Sequence, residues 1–235
     1  MRPVDKGDAP YIKISKYQEA EPYLEKRIGA YCSFCEMRVN NALAVEHKES
    51  GNSGDALTDW SNLLLSCVYC NSRKSEKIRK GNLGRWLWPD QHNTFLAFTY
   101  EDALPKVNET YLKTVGEDVL MRAKATMEDL VLDYKPKSTD GKKYKDKRWQ
   151  HRFHVLTIAE DYKNSWIKNR GLEYEEQQLR NIRYTAEQSG FFSVWMMVFQ
   201  DEPKVKEALL DAFTGTSKEC FDEKGNAVRR KDSIL

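Results

Sequence analysis

Two Cys-x-x-Cys pairs, Cys32/Cys35 and Cys67/Cys70, constrain this chain more than any other feature of its sequence. Thiolates are soft ligands, and each pair sets two sulfurs on one tight turn. Two such turns complete a tetrahedron around a single structural Zn²⁺. The metal then closes the long segment from Cys35 to Cys67 into a presented loop. A module with so little apolar sequence draws much of its folding energy from the ion. Two separate redox dithiols would ask for one Cys-x-x-Cys in a βαβ setting, a pattern absent around these cysteines.

The segment between the pairs is not neutral filler. It carries Glu46-His47 and Asn62, and Asn71 follows Cys70 directly. A zinc ribbon needs none of these four. Glu46 offers a hard oxygen ligand, and on an extended strand its neighbour His47 points to the other face, dividing the pair into a ligand and a base. Asn71 offers a second oxygen ligand fixed by the Cys70 turn. Asn62, ahead of a short apolar run, is placed to bond backbone near His47 and orient the imidazole. Phosphodiester hydrolysis needs an activated water, charge neutralisation and help for the leaving oxygen; an imidazole and a divalent cation such as Mg²⁺ or Mn²⁺ supply them.

With 235 residues the chain can bury a real core. Its net charge of +2 means that any surface for nucleic acid is a local cluster rather than a global field. The first residues lack the apolar region of a signal peptide, and the longest apolar run, 191–199, is too short to span a membrane. A cytoplasmic location is expected, and tight cysteine pairs fit its reducing chemistry. Cys220, alone, reads as a small buried side chain.

Along the chain, residues 1–30 read as an arm and a short helix stopped by Gly29, and 31–80 as the metal module with strands near 43–47 and 63–65. An aromatic-rich stretch and a helix fill 81–134, with 94–100 read as strand or extended. From residue 115 a helical stripe of Val119, Ala123, Met127 and Val131 appears. A polar, basic connector covers 135–152. Helical stripes (Val155, Ala159, Tyr162, Trp166; then Leu172, Leu179, Ile182, Ala186) and a Pro203-initiated last helix fill 153–235. The expected class is α+β: a small ββα-metal module with a zinc ribbon, followed by a mostly helical C-terminal region.

The order Cys32-x-x-Cys35, Glu46-His47, Asn62-Leu63, Cys67-x-x-Cys70-Asn71 resembles the HNH endonuclease motif in its four-cysteine, ββα-metal form. The resemblance implies His47 as general base, Glu46 and Asn71 as ligands of the catalytic ion, and Asn62 as the residue that positions the base. Glu stands where Asp is commoner at position 46, and Asn where His is found at 71. Outside the motif, the opening Met1-Arg2-Pro3-Val4, Leu87-Trp88-Pro89, Asn93-Thr94-Phe95 and Cys220-Phe221-Asp222 are similar to the HNH subunit of Septu-type anti-phage systems, including versions accompanying retrons. That likeness implies an ABC-class ATPase partner, and in retron versions a reverse transcriptase with its msDNA. DNA is the substrate that the family favours, with tRNA or other RNA as the second choice.

Arg73, Lys74, Lys77 and Lys80 follow Asn71, and on one helix 73, 77 and 80 would share a face toward phosphates. A second basic cluster includes Lys143 and Arg148 among Tyr144, Trp149, His151 and His154, a mixture suited to stacking bases or to an acidic partner. The competing reading is a non-catalytic zinc-ribbon module that binds nucleic acid or protein. It accounts for the cysteines and the basic residues but gives Glu46, His47 and Asn71 no reason to occur in register.

Overall fold

The computed structural model of the chain describes residues 1–41, 43–51, 54–75, 77–136 and 145–235. The N-terminal arm is irregular, as its Pro and Gly residues require, but buried cations pin it down. Arg2 donates to the carbonyls of Ile28, Phe213 and Thr214, and Lys6 to those of Trp60 and Leu63. A 3-10 turn, Tyr17–Ala20, leads into α1, Glu21–Ile28. Pro22 sits in its first turn, where no amide donor is needed, and Gly29 at φ 75° stops it.

The metal module is built from β1 (Ala44–His47), β2 (Leu63–Ser66) and α2 (Val68–Lys74). The strands are antiparallel, with Glu46 opposite Leu64 and His47 opposite Leu63. All of β2 is buried, as its leucine run demands, whereas in β1 only Val45 is. α2 starts at the second cysteine pair, with the Cys67 sulfur accepting from the Cys70 amide, and stops at Ser75, whose φ is 41°. Lys77 and Lys80 therefore lie beyond the helix and do not share a face of it with Arg73; the left-handed residue at 75 is the physical reason.

Downstream, residues 94–100 are not one extended segment. The Asn93 side chain caps a single helical turn, α3 (Thr94–Ala97), and only from Phe98 does the chain extend into the hairpin β3 (Phe98–Glu101) and β4 (Leu104–Val107). α4 (Glu109–Val115) and α5 (Glu117–Leu130) follow. α5 buries Val119, Leu120, Ala123, Met127 and Leu130, while Val131, expected in that stripe, turns left-handed and caps the helix. The basic connector ends early, because α6 (Arg148–Asn169) already includes Arg148 and Arg152. α7 (Glu175–Ser189), α8 (Phe192–Val198) and α9 (Pro203–Ala212) complete the helical region. Leu172, expected in the third stripe, is exposed ahead of α7.

Two apolar clusters result. One gathers α1, β2, Trp86, Trp88 and α5 around the cysteines; the other gathers α6, α8 and α9 around Trp195, Phe192 and Phe213. Met37, two residues past Cys35, packs against both. Among the described residues no helix is long and apolar enough to cross a membrane.

Candidate active site and zinc knuckle

The four sulfurs of Cys32, Cys35, Cys67 and Cys70 lie within 4.8 Å of one another and are buried. Cys35 and Cys67 are 3.7 Å apart, sulfur to sulfur. A tetrahedron with metal–sulfur bonds of about 2.3 Å has edges of about 3.8 Å, so the cage has the dimension of a structural Zn²⁺ site. Burial pushes the Cys35 and Cys70 thiols well above their ordinary range. The Cys32 thiol, which burial also opposes, is held well below it by hydrogen bonds from the other three. A divalent cation bound here would hold the sulfurs as thiolates.

Arg148 is the partner that the cage charge requires. Its guanidinium donates to the Cys70 sulfur at 3.3 Å, to the carbonyls of Leu130 and Val131, and to Asp146. Only 2% of the residue is exposed. Sequence reasoning set Arg148 against phosphates; the structure turns it inward as a brace for the knuckle. On the other side Glu36, at φ 66°, accepts from the amide and hydroxyl of Ser193. Gly190 lies flat against the same turn, where a Cβ would come within 2.7 Å of the Arg38 nitrogen.

β1 sends its two chemical side chains to opposite sides. Glu46 faces α2, where its Oε1 lies 2.9 Å from the Lys74 ammonium. Lys74 is fully buried and, that ion pair apart, its ammonium makes no hydrogen bond among the described residues. Like Arg148, it presents no charge to solvent, contrary to the expected phosphate contact. Burial pushes the Glu46 carboxyl above its ordinary range, against the pull of Lys74. Asn71, one turn before Lys74, lies on the same side of α2 and is half-buried. A carboxylate and an amide oxygen are hard donors, a set that fits Mg²⁺ or Mn²⁺ completed by water and phosphate oxygens.

His47 leaves the strand on the other side. Its Nε2 lies 2.8 Å from the Leu57 carbonyl. A carbonyl only accepts, so Nε2 is the donor, which leaves Nδ1 as the ring nitrogen able to accept a proton. The Tyr17 ring packs on the imidazole with centroids 4.5 Å apart. Asn62 clamps the chain just past His47, accepting from the Glu49 amide at 2.9 Å and donating to the Glu49 carbonyl at 3.1 Å. Neither Tyr17 nor the Leu57 carbonyl was found by sequence reasoning. The first is far away in the chain, and the second is a backbone atom that no side-chain pattern marks.

The surface cations are less concentrated than their sequence run suggests. Arg73 is partly exposed and pairs with Asp146 at 3.7 Å, Lys77 donates to the Asp129 carbonyl, and Lys80 is exposed. Lys143 lies outside the described residues.

Residues 31–77 match the family model described as HNH endonuclease. No curated protein and no solved structure matches the chain. The chain thus carries an HNH endonuclease domain over the four-cysteine cage, β1, β2 and α2, and that family's chemistry is metal-dependent cleavage of nucleic acid.

Proposed function

We propose that the chain is an endonuclease in which His47 is the general base, Glu46 and Asn71 hold the catalytic divalent ion, and Asn62 positions the base. The observation that carries this reading is the division of β1: a carboxylate directed at the helix of Asn71, and beside it an imidazole whose Nε2 proton is spent on a carbonyl. Nδ1 of His47 takes the proton of the attacking water as the water oxygen bonds to phosphorus and the phosphorus bond to the leaving oxygen breaks. Glu46 and Asn71 would hold a divalent ion, which would supply charge neutralisation on the phosphate and help for the leaving oxygen. The Leu57 carbonyl holds the ring and Asn62 fixes the backbone just past it, so that Nδ1 needs no search. The zinc cage shapes this site and takes no part in the chemistry.

The biological setting belongs to the same proposal. Residues outside the motif resemble the nuclease subunit of Septu-type defence systems, which supports action as an anti-phage effector with an ABC-class ATPase, and in retron versions with a reverse transcriptase and msDNA. DNA is the first substrate to try and tRNA the second. Purification from a native host tests the complex: the ATPase is expected to co-purify with the chain, and its absence under gentle conditions counts against the defence role. Point mutation tests the chemistry. Glu46→Gln is expected to lower cleavage by at least roughly 100-fold while zinc content stays at one per chain, because a neutral amide holds the catalytic ion poorly.

A further inference from the structure

The first three turns of α6 carry their solvent side away from both apolar clusters. Lys147, Gln150, His151, His154 and Thr157 line a shallow groove there, with Phe153 among them. Phe153 is 45% exposed, an unusual place for a phenyl ring on a helix so well buried on its other face. The ring is also held in position. It stacks on Trp149 with centroids 5.4 Å apart and planes at 25°, and the Lys135 ammonium sits 5.3 Å from the Trp149 ring.

Charge around the ring is one-sided. From Lys147 through Ala159 the sequence has no carboxylate, and Asp146, just before, is turned inward onto Arg148. A lysine face alone would be a solvated surface, and a lone phenyl ring would suit any apolar partner. A pre-ordered ring flanked by lysine, imidazoles and an amide suits a polyanion that also offers flat faces, which is a nucleic acid strand with unpaired bases. A duplex keeps its base faces inside the stack and has none to give to Phe153.

The start of α6, where the groove begins, is tied to the HNH module. The Tyr69 hydroxyl donates to the Lys145 carbonyl at 2.7 Å, and Arg73 reaches Asp146. Arg148 bonds the Cys70 sulfur. These contacts fasten the start of α6 to α2, the helix of Asn71.

We propose that the first three turns of α6 dock a single-stranded segment of the substrate, an unpaired base stacking on Phe153 and neighbouring phosphates meeting Lys147 and Arg73. The proposal rests on the nuclease reading and names its substrate class: nucleic acid presenting unpaired bases near the cleaved bond.

Fluorescence anisotropy tests it on full-length His47→Ala protein, without added divalent cation so that binding does not depend on cleavage. The probes are a short labelled mixed-sequence oligonucleotide and its duplex. Phe153→Ala is expected to weaken single-strand binding roughly tenfold and to leave duplex binding unchanged, while Phe153→Trp restores it. Lys147→Ala is expected to weaken both and to lower the salt dependence by about one phosphate. Unchanged single-strand affinity in Phe153→Ala, with an unchanged thermal midpoint, overturns the proposal. So does equal loss on single strand and duplex, or no binding of either by the parent protein. A separate cleavage assay on wild type and His47→Ala reports on the nuclease reading: cleavage surviving in His47→Ala sinks that reading, whereas the binding results alone decide the docking surface.

Discussion

At the scale of single residues, the candidate base is fixed from three directions: strand β1 behind it, the Leu57 carbonyl on Nε2, and the Tyr17 ring against its face. Tyr17 touches no reacting atom and acts only through the imidazole. Tyr17→Leu should therefore lower kcat roughly 10- to 100-fold with KM nearly unchanged, because a misdirected base costs rate rather than binding. Tyr17→Phe should retain activity, since the contact with the imidazole is made by the ring. Steady-state kinetics on both variants, with zinc content as a control, checks this; equal losses in the two would point to the hydroxyl instead. His92 carries a different prediction. Burial, seconded by Arg122, lowers its pKa from 6.5 to about 4, and its Nδ1 meets the Ser233 hydroxyl. Between about pH 6.5 and pH 4 the unfolded chain takes up a proton that the folded chain refuses, so stability falls as pH falls through that window. Denaturant unfolding should show a loss on the order of 1–3 kcal/mol across it, and His92→Gln should lack that part of the loss.

At the scale of elements, the joint between α2 and α6 is the most exacting. Arg148 serves a sulfur, two carbonyls and a carboxylate at once, and Asp146 beside it is buried as well. Removing one partner of a buried pair leaves the other charge without compensation, at about 3–5 kcal/mol. Arg148→Ala should show that loss in denaturant unfolding and also release zinc faster to a competing chelator. A double change, Asp146→Asn with Arg148→Met, should recover part of the stability, since it removes both charges of the buried pair together. The same joint shows where sequence reading succeeds and fails. The cysteine spacing, Glu46-His47 and the leucine run of β2 were legible because each is a local pattern whose chemistry allows few arrangements. The inward turn of Arg148 and Lys74 was not, because a cation in a basic run looks the same whether it meets phosphate or a buried thiolate. The early end of α2 was hidden for a related reason: Ser75 carries no residue-type signal for a helix stop, yet its backbone turns to φ 41°. The α3 turn escaped because its apolar residues suit a strand as well as a helix, and the Asn93 cap decides between them.

At the scale of the molecule, the four-cysteine knuckle lies in one apolar cluster and joins it to the other. Met37 packs into both, Glu36 holds Ser193 at the start of α8, and Arg148 ties Cys70 to α6. Zinc removal should therefore unsettle the C-terminal helices along with the metal module. Thermal unfolding followed by tryptophan fluorescence should move to lower temperature as one transition after chelation, Trp195 included. A C-terminal half that melts at its original temperature would show that the clusters are independent.

The proposed metal-dependent phosphodiesterase stands on Glu46, His47 and Asn71. Its most direct test is cleavage of plasmid DNA and total tRNA in parallel, with Mg²⁺ or Mn²⁺, by wild type and His47→Ala, alone and with any ATPase encoded beside the gene. Cleavage by the wild type should need the divalent ion and be lost in His47→Ala while the fold and zinc content stay intact. Full activity in His47→Ala, once contaminating nucleases are removed, would contradict it.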